Sequence, residues 1–318
     1  MLRTAPTPMY LLSRKVRESN IKVVVTGEGA DEFLGGYNIF KETMIRRFWA
    51  KDPQSKYRPL LLNRLYPYLK SVQGMNTNAL KMFFGFRLKD TDDPLYSHLL
   101  RWHNTSRIKA FFSEDMKAAL EGYDPVSAVY PSLPEDFNHW GALSKAQYLE
   151  ARIFMSGYLL SSQGDRMAMG NSVEGRYPFL DYRLIEFSSR LPEQLKLNGL
   201  DEKYLLKKMI EGKIPESIRQ RSKQAYRAPI AKSFFASRAP DYVSELLSEN
   251  SIASKGLFDV HRVNALASKF TTGQIISEVD QMALAGILSA QLMHEFFISN
   301  PIPDESALLT HPKGVDHR

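Results

Sequence analysis

The segment TGEGADEFLGG, residues 26–36, places three acidic side chains and four glycines within eleven positions. It directly follows Ile21–Val25, where every residue except Lys22 is β-branched, and this pattern predicts a strand that is buried on both faces. Ligands of open α/β sheets bind beyond the carboxyl ends of the strands. Gly27 and Gly29 permit positive φ angles and close approach of a ligand to the main chain. The segment is therefore a candidate binding loop.

The three acids of this loop have types and positions suited to handling a cation or a proton. Glu28 stands between two glycines, at the mouth of the predicted pocket. Asp31 and Glu32 begin the helix that follows, where the helix dipole favours negative charge and where a substrate ammonium group can be held. The alternative is an ordinary strand–turn–helix connection with acidic residues in its first turn, and the spacing alone leaves both interpretations open.

A second candidate segment, SSQGDRMAMGNSVEGRYPFLD at residues 161–181, mixes charges of both signs with apolar side chains. Charged groups among apolar ones need partners if they are to be buried, so the pattern indicates partly buried ion pairs. For Glu174 and Arg176 we favour a structural ion pair over a role in binding. For Asp165 and Arg166 a structural role and a role in substrate binding both stay open.

The third candidate segment, RQRSKQAYRAPI at residues 219–230, is basic and lacks helical periodicity. Arg219, Arg221, Lys223 and Arg227 create a local positive field of the kind that binds a polyphosphate. Lys223 would stabilise the charge of a departing pyrophosphate if its side chain points inward. The alternative is a solvated basic loop, which is the usual role of a run of charges.

The composition narrows the class of protein. The chain has 318 residues, is 43% hydrophobic and carries a net charge of +7, which fits a protein with a sizeable core that meets anionic small molecules. It has no dense basic block or aromatic RNA-binding motif, so nucleic acid is not an expected partner. Because it has no cysteine, a disulfide scaffold, a thiolate metal site and a cysteine nucleophile are excluded.

Metal binding and membrane insertion are not expected either. No pair among the seven histidines has metal-ligand spacing on a helix, so the metal we expect is Mg²⁺ carried by a nucleotide. The first twenty residues lack the apolar core of a signal peptide, and no apolar run reaches the length needed to cross a bilayer. We therefore predict a cytoplasmic protein that does not contact a membrane.

Around the strand and loop of residues 21–37, the pattern is mostly helical. Apolar spacing predicts helices over Met9–Asn20, Arg58–Leu69, Ser113–Leu120, Ala142–Leu160 and Gln274–Ile298, with Ser113 as an N-cap. Clusters of Pro, Asp and basic residues predict irregular segments at Asp124–Asp136, Gln163–Tyr182 and Lys213–Pro229. We expect one α/β domain over residues 1–300 and a flexible tail over residues 301–318.

Taken together, KVVVTGEGADEFLGGY, GDRMAMGNSVEGRYPFLD and RSKQAY resemble the synthetase domain of the glutamine-dependent asparagine synthetases. The likeness runs from about Pro6 to the final helix. It implies an adenine-nucleotide α-hydrolase-like fold. It also implies that MgATP adenylates the side-chain carboxylate of aspartate, after which ammonia displaces AMP and leaves asparagine, AMP and pyrophosphate as products.

The resemblance also assigns roles to residues of the matching motifs. It implies that Thr26 and Gly27 contact the AMP moiety, with Gly29 in the same nucleotide-binding loop. Glu28 would be the acid near the adenylate that helps ammonia attack and lose a proton. Lys223 would bind the pyrophosphate. These roles agree with acids where a cation or proton is handled and a lysine where phosphate charge departs.

Substrate binding is expected from four further assignments in the same motifs. Asp31 would hold the amino group of aspartate, and Glu32, Asp165 and Arg166 are the other candidates. The related β-lactam synthetases resemble this pattern but carry a tyrosine at the position of Glu28, so a glutamate there favours external ammonia. Relatives that act on another carboxylate keep much of the same motif set, and the acceptor acid is left open.

The sequence departs from the family in two respects. The Gly-rich S-G-G-x-D-S pyrophosphate loop is not found, and without cysteine the chain cannot hydrolyse glutamine through the family's N-terminal cysteine. The chain thus resembles the C-terminal portion of a synthetase that begins within the nucleotide fold. Strand Ile21–Val25 would then be an apolar edge without inner neighbours, which predicts a polypeptide partner or self-association.

Two interpretations follow from these departures. In the first, the chain is a ligase component whose partner supplies the pyrophosphate loop. In the second, it is a non-catalytic, truncated remnant. Both predict that the chain alone binds ATP weakly or not at all, because the main phosphate cradle lies in the missing loop.

Overall fold

The computed structural model describes residues 2–226, 228–235, 240–272 and 274–299. The predicted flexible tail, residues 301–318, lies outside these residues. By their packing the residues form two compact units. Of the described residues, the larger unit contains those within Ala5–Asn104 and Asp124–Arg227, and the smaller contains those within Met1–Thr4, Thr105–Tyr123 and Ala228–Arg318. The expectation of one domain over residues 1–300 stays a prediction.

The described chain is mostly helical. Its α-helices are, in chain order, α1 Pro6–Glu18, α2 Ala30–Phe33, α3 Asn38–Ala50, α4 Lys70–Gln73, α5 Thr77–Phe84, α6 Tyr96–Ser106, α7 Glu114–Ala119, α8 Ala142–Leu149, α9 Arg166–Met169, α10 Tyr182–Arg190, α11 Glu193–Lys196, α12 Tyr204–Met209, α13 Glu216–Arg219, α14 Ile230–Phe234, α15 Asp241–Leu246, α16 Glu249–Lys255, α17 Val260–Thr271 and α18 Glu278–His294.

Strands and tighter or wider helical turns complete the structure. The strands are β1 Val23–Val25, β2 Glu174–Arg176, β3 Leu197–Asn198 and β4 Asp201–Glu202. The 3₁₀ segments are Arg58–Arg64, Arg107–Phe111, Ser127–Ser132, Phe137–His139 and Pro178–Leu180, and the π-helical segments are Glu150–Asp165 and Glu295–Ser299.

The predicted helices are present with shifted boundaries or a different hydrogen-bond pattern. Arg58–Leu69 was expected to be a regular helix but forms a 3₁₀ segment that ends at Arg64. Residues 142–160 are helical as expected, but the pattern becomes π-helical after Leu149. Ser113 is confirmed as an N-cap, because its hydroxyl accepts the N–H of Met116.

A small parallel sheet joins two of the candidate segments. β1 pairs with β2 in the register Val23–Glu174, Val24–Gly175 and Val25–Arg176. β2 lies within residues 163–182, which the sequence predicted to be irregular. Three residues, Glu-Gly-Arg, carry no alternation of apolar and polar side chains, so this strand has no signal in the sequence.

The prediction that β1 is buried on both faces is wrong for this chain. Val23 is 46% exposed and Val25 is 71% exposed. Among the described residues the sheet contains only β1 and β2, so few neighbours cover the apolar side chains. Three consecutive valines are typical of an inner strand, but a strand is buried only if other layers pack on it.

In the larger unit, helix α3 holds the loop that precedes it in place. The two ends of α3 pack in two different hydrophobic clusters. Near its start, Ile39 and Phe40 pack with Leu143, Ala146 and Leu197. Further along, Ile45 and Trp49 pack in a cluster with Leu62, Leu65, Leu80, Phe84, Leu88 and Leu100. Both ends of α3 are therefore fixed by packing, and its N-terminal end fixes the position of the adjoining residues 26–37.

The smaller unit is built around α18. A capping box starts this helix, because the Ser277 hydroxyl accepts the N–H of Asp280 while the Asp280 carboxylate accepts the N–H of Ser277. Helices α14 to α17 and the 3₁₀ segment Arg107–Phe111 pack around it. Leu284, Ile287 and Leu288 on α18 are almost fully buried in the resulting core.

One helical stretch differs from the expectation that no apolar run could cross a bilayer. In the part of the chain that the structure describes, Glu278–Ser299 is long and apolar enough to do so, with a mean hydropathy of 1.3. This is weak support for a membrane span, because the core helix of a soluble protein passes the same test. The buried residues of α18 show how it passes: they form the core of the smaller unit.

Helix α8 takes its N-terminal cap from a distant residue. Gly141 at the N-cap position has no side chain to accept a hydrogen bond. The Glu193 carboxylate fills this role, because its Oε1 accepts the N–H groups of Leu143 at 3.0 Å and of Ser144 at 3.3 Å. Negative charge at this end is also favoured by the helix dipole.

We predict that Glu193→Ala lowers the free energy of unfolding by about 1 kcal/mol, because the first turn of α8 loses its cap. Urea denaturation followed by circular dichroism measures this change. Glu186→Ala, an exposed glutamate on α10, is the matched control and should change stability by less than about 0.5 kcal/mol. Equal stability of the two variants would contradict the capping role.

Candidate functional site

The loop after β1 holds Glu28 at the end of the strand. The N–H of Thr26 donates to the carbonyl of Arg176 at 2.9 Å, which extends the pairing of β1 with β2 by one bond. The Thr26 hydroxyl donates to the Glu28 carboxylate. Glu28 is half-buried, so its carboxylate is held by the protein and still reaches solvent.

The two glycines beside Glu28 differ in their structural roles. Gly29 has a φ of 93°, and a β-carbon there would lie 3.1 Å from the Phe179 carbonyl, so only glycine fits without strain. Gly27 permits a positive φ, but it is not among the glycines that adopt one. No atom lies within 4 Å of the place where a Gly27 β-carbon would stand, so the space there is open.

Two lysines converge on the Asp31 carboxylate. Lys203 Nζ lies 2.9 Å from Oδ1, and Lys223 Nζ lies 2.8 Å from Oδ2. The Asp31 side chain is only 13% exposed, and the two lysine side chains are 23% and 28% exposed. Partial burial strengthens these ion pairs relative to pairs on the surface. Asp31 and Lys223, predicted to bind different parts of the reactants, are therefore in direct contact.

Tyr37 supports this ion-pair cluster from one side. The Lys223 ammonium lies over the Tyr37 ring, 5.4 Å from its centre, which allows a cation–π attraction. The Tyr37 hydroxyl donates to Glu32 Oε1 at 2.8 Å, and the Phe154 ring packs edge-on against Tyr37. The ring is thus held from two directions.

Glu32, a predicted substrate-binding residue, lies in the interior of the larger unit. It is 2% exposed, and its backbone carbonyl accepts the Gln147 side-chain amide at 2.6 Å. Burial raises the pKa of its carboxyl group, and the Tyr37 hydrogen bond offsets part of that rise. Its observed contacts are with Tyr37 and Gln147, and a role in substrate binding stays a prediction.

Tyr177 links Asp165 to the Glu28 region. The Tyr177 hydroxyl donates to Asp165 Oδ1 at 2.7 Å, and the phenol lies against Gly175 of β2. Burial raises the pKa of Tyr177, and the negative charges of Asp165 and Glu28 add to the effect. The charge of Glu28 thus acts on the same phenol that is hydrogen-bonded to Asp165.

The remaining charges of residues 161–181 are at the surface. Arg166 is exposed. Glu174 and Arg176 form the predicted ion pair at 3.0 Å, but their side chains are 51% and 60% exposed, so the expectation of partial burial is wrong. An exposed pair of this kind stabilises a fold by less than about 1 kcal/mol.

In the basic segment, Lys223 has a different environment from its neighbours. Arg219 is paired with Glu216 at 2.6 Å and with Glu211 at 3.2 Å, so its charge is already balanced. Arg221 is exposed, and Arg227 lies outside the described residues. Among the described residues of this segment, Lys223 is the cation in contact with the loop after β1. No group of three or more His, Asp or Glu side chains in the described chain is placed to hold a metal.

Lys203 and Tyr37 were not among the predicted site residues. Tyr37 follows the second glycine pair directly, and a bulky aromatic residue after Gly-Gly is the signal that was available. Lys203 follows the β3–β4 hairpin, whose two-residue loop begins with Gly199, a glycine with a positive φ that is typical of such turns. The hairpin is readable from the sequence, but the contact of Lys203 with Asp31, 172 positions earlier, is not.

Comparisons with known proteins agree with the motifs. The family model described as asparagine synthase matches residues 1–295. Glutamine-hydrolysing asparagine synthetase 1 of Bacillus subtilis is 28% identical over 252 residues, covering 77% of this chain and 36% of that protein. Amidase chyE of Penicillium rubens is 28% identical over 283 residues, covering 83% and 40%. A putative glutamine-hydrolysing asparagine synthetase of Mycobacterium tuberculosis H37Rv is 27% identical over 231 residues, covering 71% and 32%.

We predict that Gly36→Ala disrupts the Asp31 ion pairs. A β-carbon at Gly36 would lie closer than 3.0 Å to Asp31 Oδ1 and to Lys203 Cε, so one of the two must move. The expected loss of unfolding free energy is about 1–3 kcal/mol, as for other overpacked sites. Thermal denaturation by scanning calorimetry measures it.

Gly27→Ala is the matched control in the same loop, because the space around Gly27 is open. It should stay within about 1 kcal/mol of the wild-type chain. A Gly36→Ala variant as stable as Gly27→Ala would show that the ion pairs are not packed as described.

We also predict that Glu32 makes stability pH-dependent. Because its folded-state pKa is raised above the ordinary 4.5, its contribution to folding is fully present below pH 4.5 and is lost as pH rises through the folded-state value. The unfolding free energy of the wild-type chain minus that of Glu32→Gln should therefore fall as pH rises through this window. Urea denaturation at a series of pH values measures the difference.

Glu135→Gln, at an exposed position, is the control for the Glu32 experiment. Its difference from the wild-type chain should stay level across the same pH range. A Glu32→Gln difference that stays equally level would contradict the raised pKa.

Proposed function

Because the chain belongs to the asparagine synthase family, we propose that it carries part of a site for ATP-dependent amide formation. The proposed reaction adenylates the side-chain carboxylate of aspartate with MgATP and then transfers the acyl group to ammonia. The family uses ATP, and the resemblance of this chain to asparagine synthetases supports a ligase. The adenine-nucleotide α-hydrolase-like fold is part of the same proposal.

The observation that carries the proposal is the convergence of two ammonium groups on Asp31 beside the loop after β1. Lys203 and Lys223 both lie within 2.9 Å of this carboxylate and are partly shielded from solvent. An anion that enters beside them meets two cations already held in place. Such pre-positioned charge stabilises a pyrophosphate as it departs from the α-phosphorus of ATP. This charge arrangement fits MgATP as a substrate.

The proposed reaction has two steps, and Glu28 is assigned a role in the second. A carboxylate oxygen of aspartate attacks the α-phosphorus, and the bond from that phosphorus to the pyrophosphate oxygen breaks. The nitrogen of ammonia then attacks the acyl carbon, and the bond from carbon to the AMP oxygen breaks. The attacking nitrogen must lose a proton, and Glu28 is the proposed acceptor because its carboxylate is held at the end of β1.

Nucleotide contacts are proposed for the backbone of the loop. The open space at Gly27 allows a ligand to approach the main chain there, and Thr26 and Gly29 hold the loop on either side. Asp165 is proposed to assist through Tyr177, which it contacts close to Glu28. Arg166, exposed on α9, is the candidate contact for a substrate carboxylate.

Asp31 is proposed to hold the ammonium group of aspartate. In the structure this carboxylate is already engaged by the two lysines. A polyphosphate that attracts Lys223 would release one carboxylate oxygen for the amino acid. Binding of the nucleotide and of aspartate would then be coupled through one exchange of ion-pair partners.

The chain spans 32% to 40% of the length of these curated relatives. Hydrolysis of glutamine to supply ammonia is therefore proposed only for a complete enzyme, and no residue of this chain is assigned to that step. The exposed apolar edge of β1 is the proposed contact for a polypeptide partner or for self-association. A cytoplasmic location is proposed with it.

A second candidate is amide formation on a different carboxylate. Amidase chyE and the Bacillus subtilis synthetase are each 28% identical to this chain. The match with amidase chyE covers 83% of the chain, and the match with the synthetase covers 77%. In this proposal Glu28 and Lys223 handle the attacking ammonia and the departing pyrophosphate, so neither of them selects the acceptor acid. A panel of carboxylic acids in the AMP-release assay separates the two candidates.

We predict that Glu28→Gln lowers amide formation by about 10²- to 10⁴-fold, because the proton acceptor is lost while the shape of the side chain is kept. The assay mixes the chain with MgATP, aspartate and ammonium, alone and with a polypeptide that carries an S-G-G-x-D-S loop. AMP and asparagine are measured by chromatography.

Glu18→Gln, at an exposed position on α1, is the control and should retain full activity. Unchanged asparagine formation in Glu28→Gln would contradict the role of Glu28. If the wild-type chain forms no AMP in either arrangement with any acid of the panel, the ligase proposal fails and the non-catalytic interpretation stands.

A further inference from the structure

Lys223 is held at both its backbone and its side chain. Asp31 and the Tyr37 ring contact its ammonium group. At the other end, the backbone N–H of Lys223 donates to Glu202 Oε1 at 2.9 Å. Lys223 lies in a segment without regular secondary structure, so this bond to a distant side chain is a specific anchor for its main chain.

Glu202 is a buried carboxylate with several cationic neighbours. It is 4% exposed, and its Oε2 accepts the Lys41 ammonium at 2.5 Å. Lys207 Nζ lies 3.7 Å from Oε1. Burial by itself raises the pKa of Glu202, but the hydrogen bonds from Lys41 and from the Lys223 amide outweigh it and leave the pKa below its ordinary value. The group is therefore a charged acceptor.

The contacts of Glu202 and of its neighbour Lys203 form a closed ring. Glu202 holds the main chain of Lys223, and Lys203 is paired with Asp31. Asp31 in turn is paired with the ammonium group of Lys223. Lys203 has a φ of 53°, so the chain turns sharply where β4 ends. The Glu202 side chain therefore contacts the backbone of Lys223, while the Lys203 side chain contacts Asp31.

We propose that Glu202 is a positioning residue that sets the place of Lys223 beside Asp31 through its hydrogen bond to the Lys223 amide. It does not touch the reactants itself. Its effect on pyrophosphate rests on the proposed function, but its effect on the position of Lys223 does not. The competing explanation is that Glu202 only balances the charges of Lys41 and Lys207.

Two substitutions separate these explanations. Glu202→Met keeps the approximate volume and removes both oxygens, so it removes the bond to Lys223 and the charge together. Glu202→Gln removes the charge but keeps an oxygen that can accept the Lys223 N–H. Asp201→Asn is the matched control, because the neighbouring Asp201 pairs with Lys207 at 2.5 Å and its described hydrogen bond is to that lysine.

The first measurement is the rate at which an amine-reactive acetylating reagent modifies Lys223 in the full chain, read by peptide mass spectrometry. We expect Glu202→Met to raise this rate about tenfold, the effect of losing a hydrogen bond to a charged group. Glu202→Gln should restore most of the protection, and Asp201→Asn should match the wild-type chain. Lys196, which is 2% exposed, reports unfolding in the same samples, because its modification rises only if the interior opens.

The contrary results are equally clear. An unchanged Lys223 rate in Glu202→Met would overturn the proposal, and so would equal increases in the Met and Gln variants, which would assign the effect to charge balance. If Glu202→Met does not fold, hydrogen exchange of the Lys223 amide in the wild-type chain decides. Slow exchange relative to the neighbouring Ser222 and Gln224 supports the anchor, and equal exchange contradicts it.

A second measurement links the anchor to the proposed function. Titration calorimetry with Mg²⁺ and inorganic pyrophosphate should show about tenfold weaker binding in Glu202→Met. Adding Lys223→Ala to Glu202→Met should cause no further loss beyond that of Lys223→Ala alone, because both act through one ammonium group. If the wild-type chain binds no pyrophosphate even together with a polypeptide that carries an S-G-G-x-D-S loop, the proposed function fails at this step while the labelling result for Glu202 stands.

Discussion

The Asp31 carboxylate is the constraint on which the rest of the candidate site depends. Two lysines that are distant from it in the chain meet on its two oxygens, and the loop glycines leave room for that meeting. Without this carboxylate, two partly buried ammonium groups would face each other without compensation. The positions of β4, of the basic segment and of the loop after β1 are therefore coupled through one side chain.

The small sheet brings together the first two candidate segments, and the ion pairs bring in the third. Pairing of β1 with β2 places Glu28 near Tyr177 and Asp165, because both strands end at the same edge. The lysine of the basic segment reaches that edge through Asp31. Three separate motifs therefore meet at one loop, although the two strands have only three residues each.

How far the sequence was informative depends on the range of the interactions. The N-cap at Ser113 and the helices with regular apolar spacing were predictable, because caps and periodicity are local. The 3₁₀ form of Arg58–Arg64 and the strand β2 were not, because the first depends on packing against α3 and α5 and the second on pairing with the distant β1. The burial of Glu32 was not predictable either, because neither a glutamate nor its sequence neighbours indicate an interior position.

The sequence by itself determined the family and provided the candidate site residues: the Glu28 and Asp31 loop, the charged segment at Asp165 and the lysine at Lys223. Motif residues act through their chemical type, which the sequence states directly. The tertiary structure alone decided their partners, including Lys203, the Tyr37 ring and the Glu202 anchor. The reason is physical, because a charge acquires its role from the groups within a few ångströms of it, and folding places those groups there from distant parts of the chain.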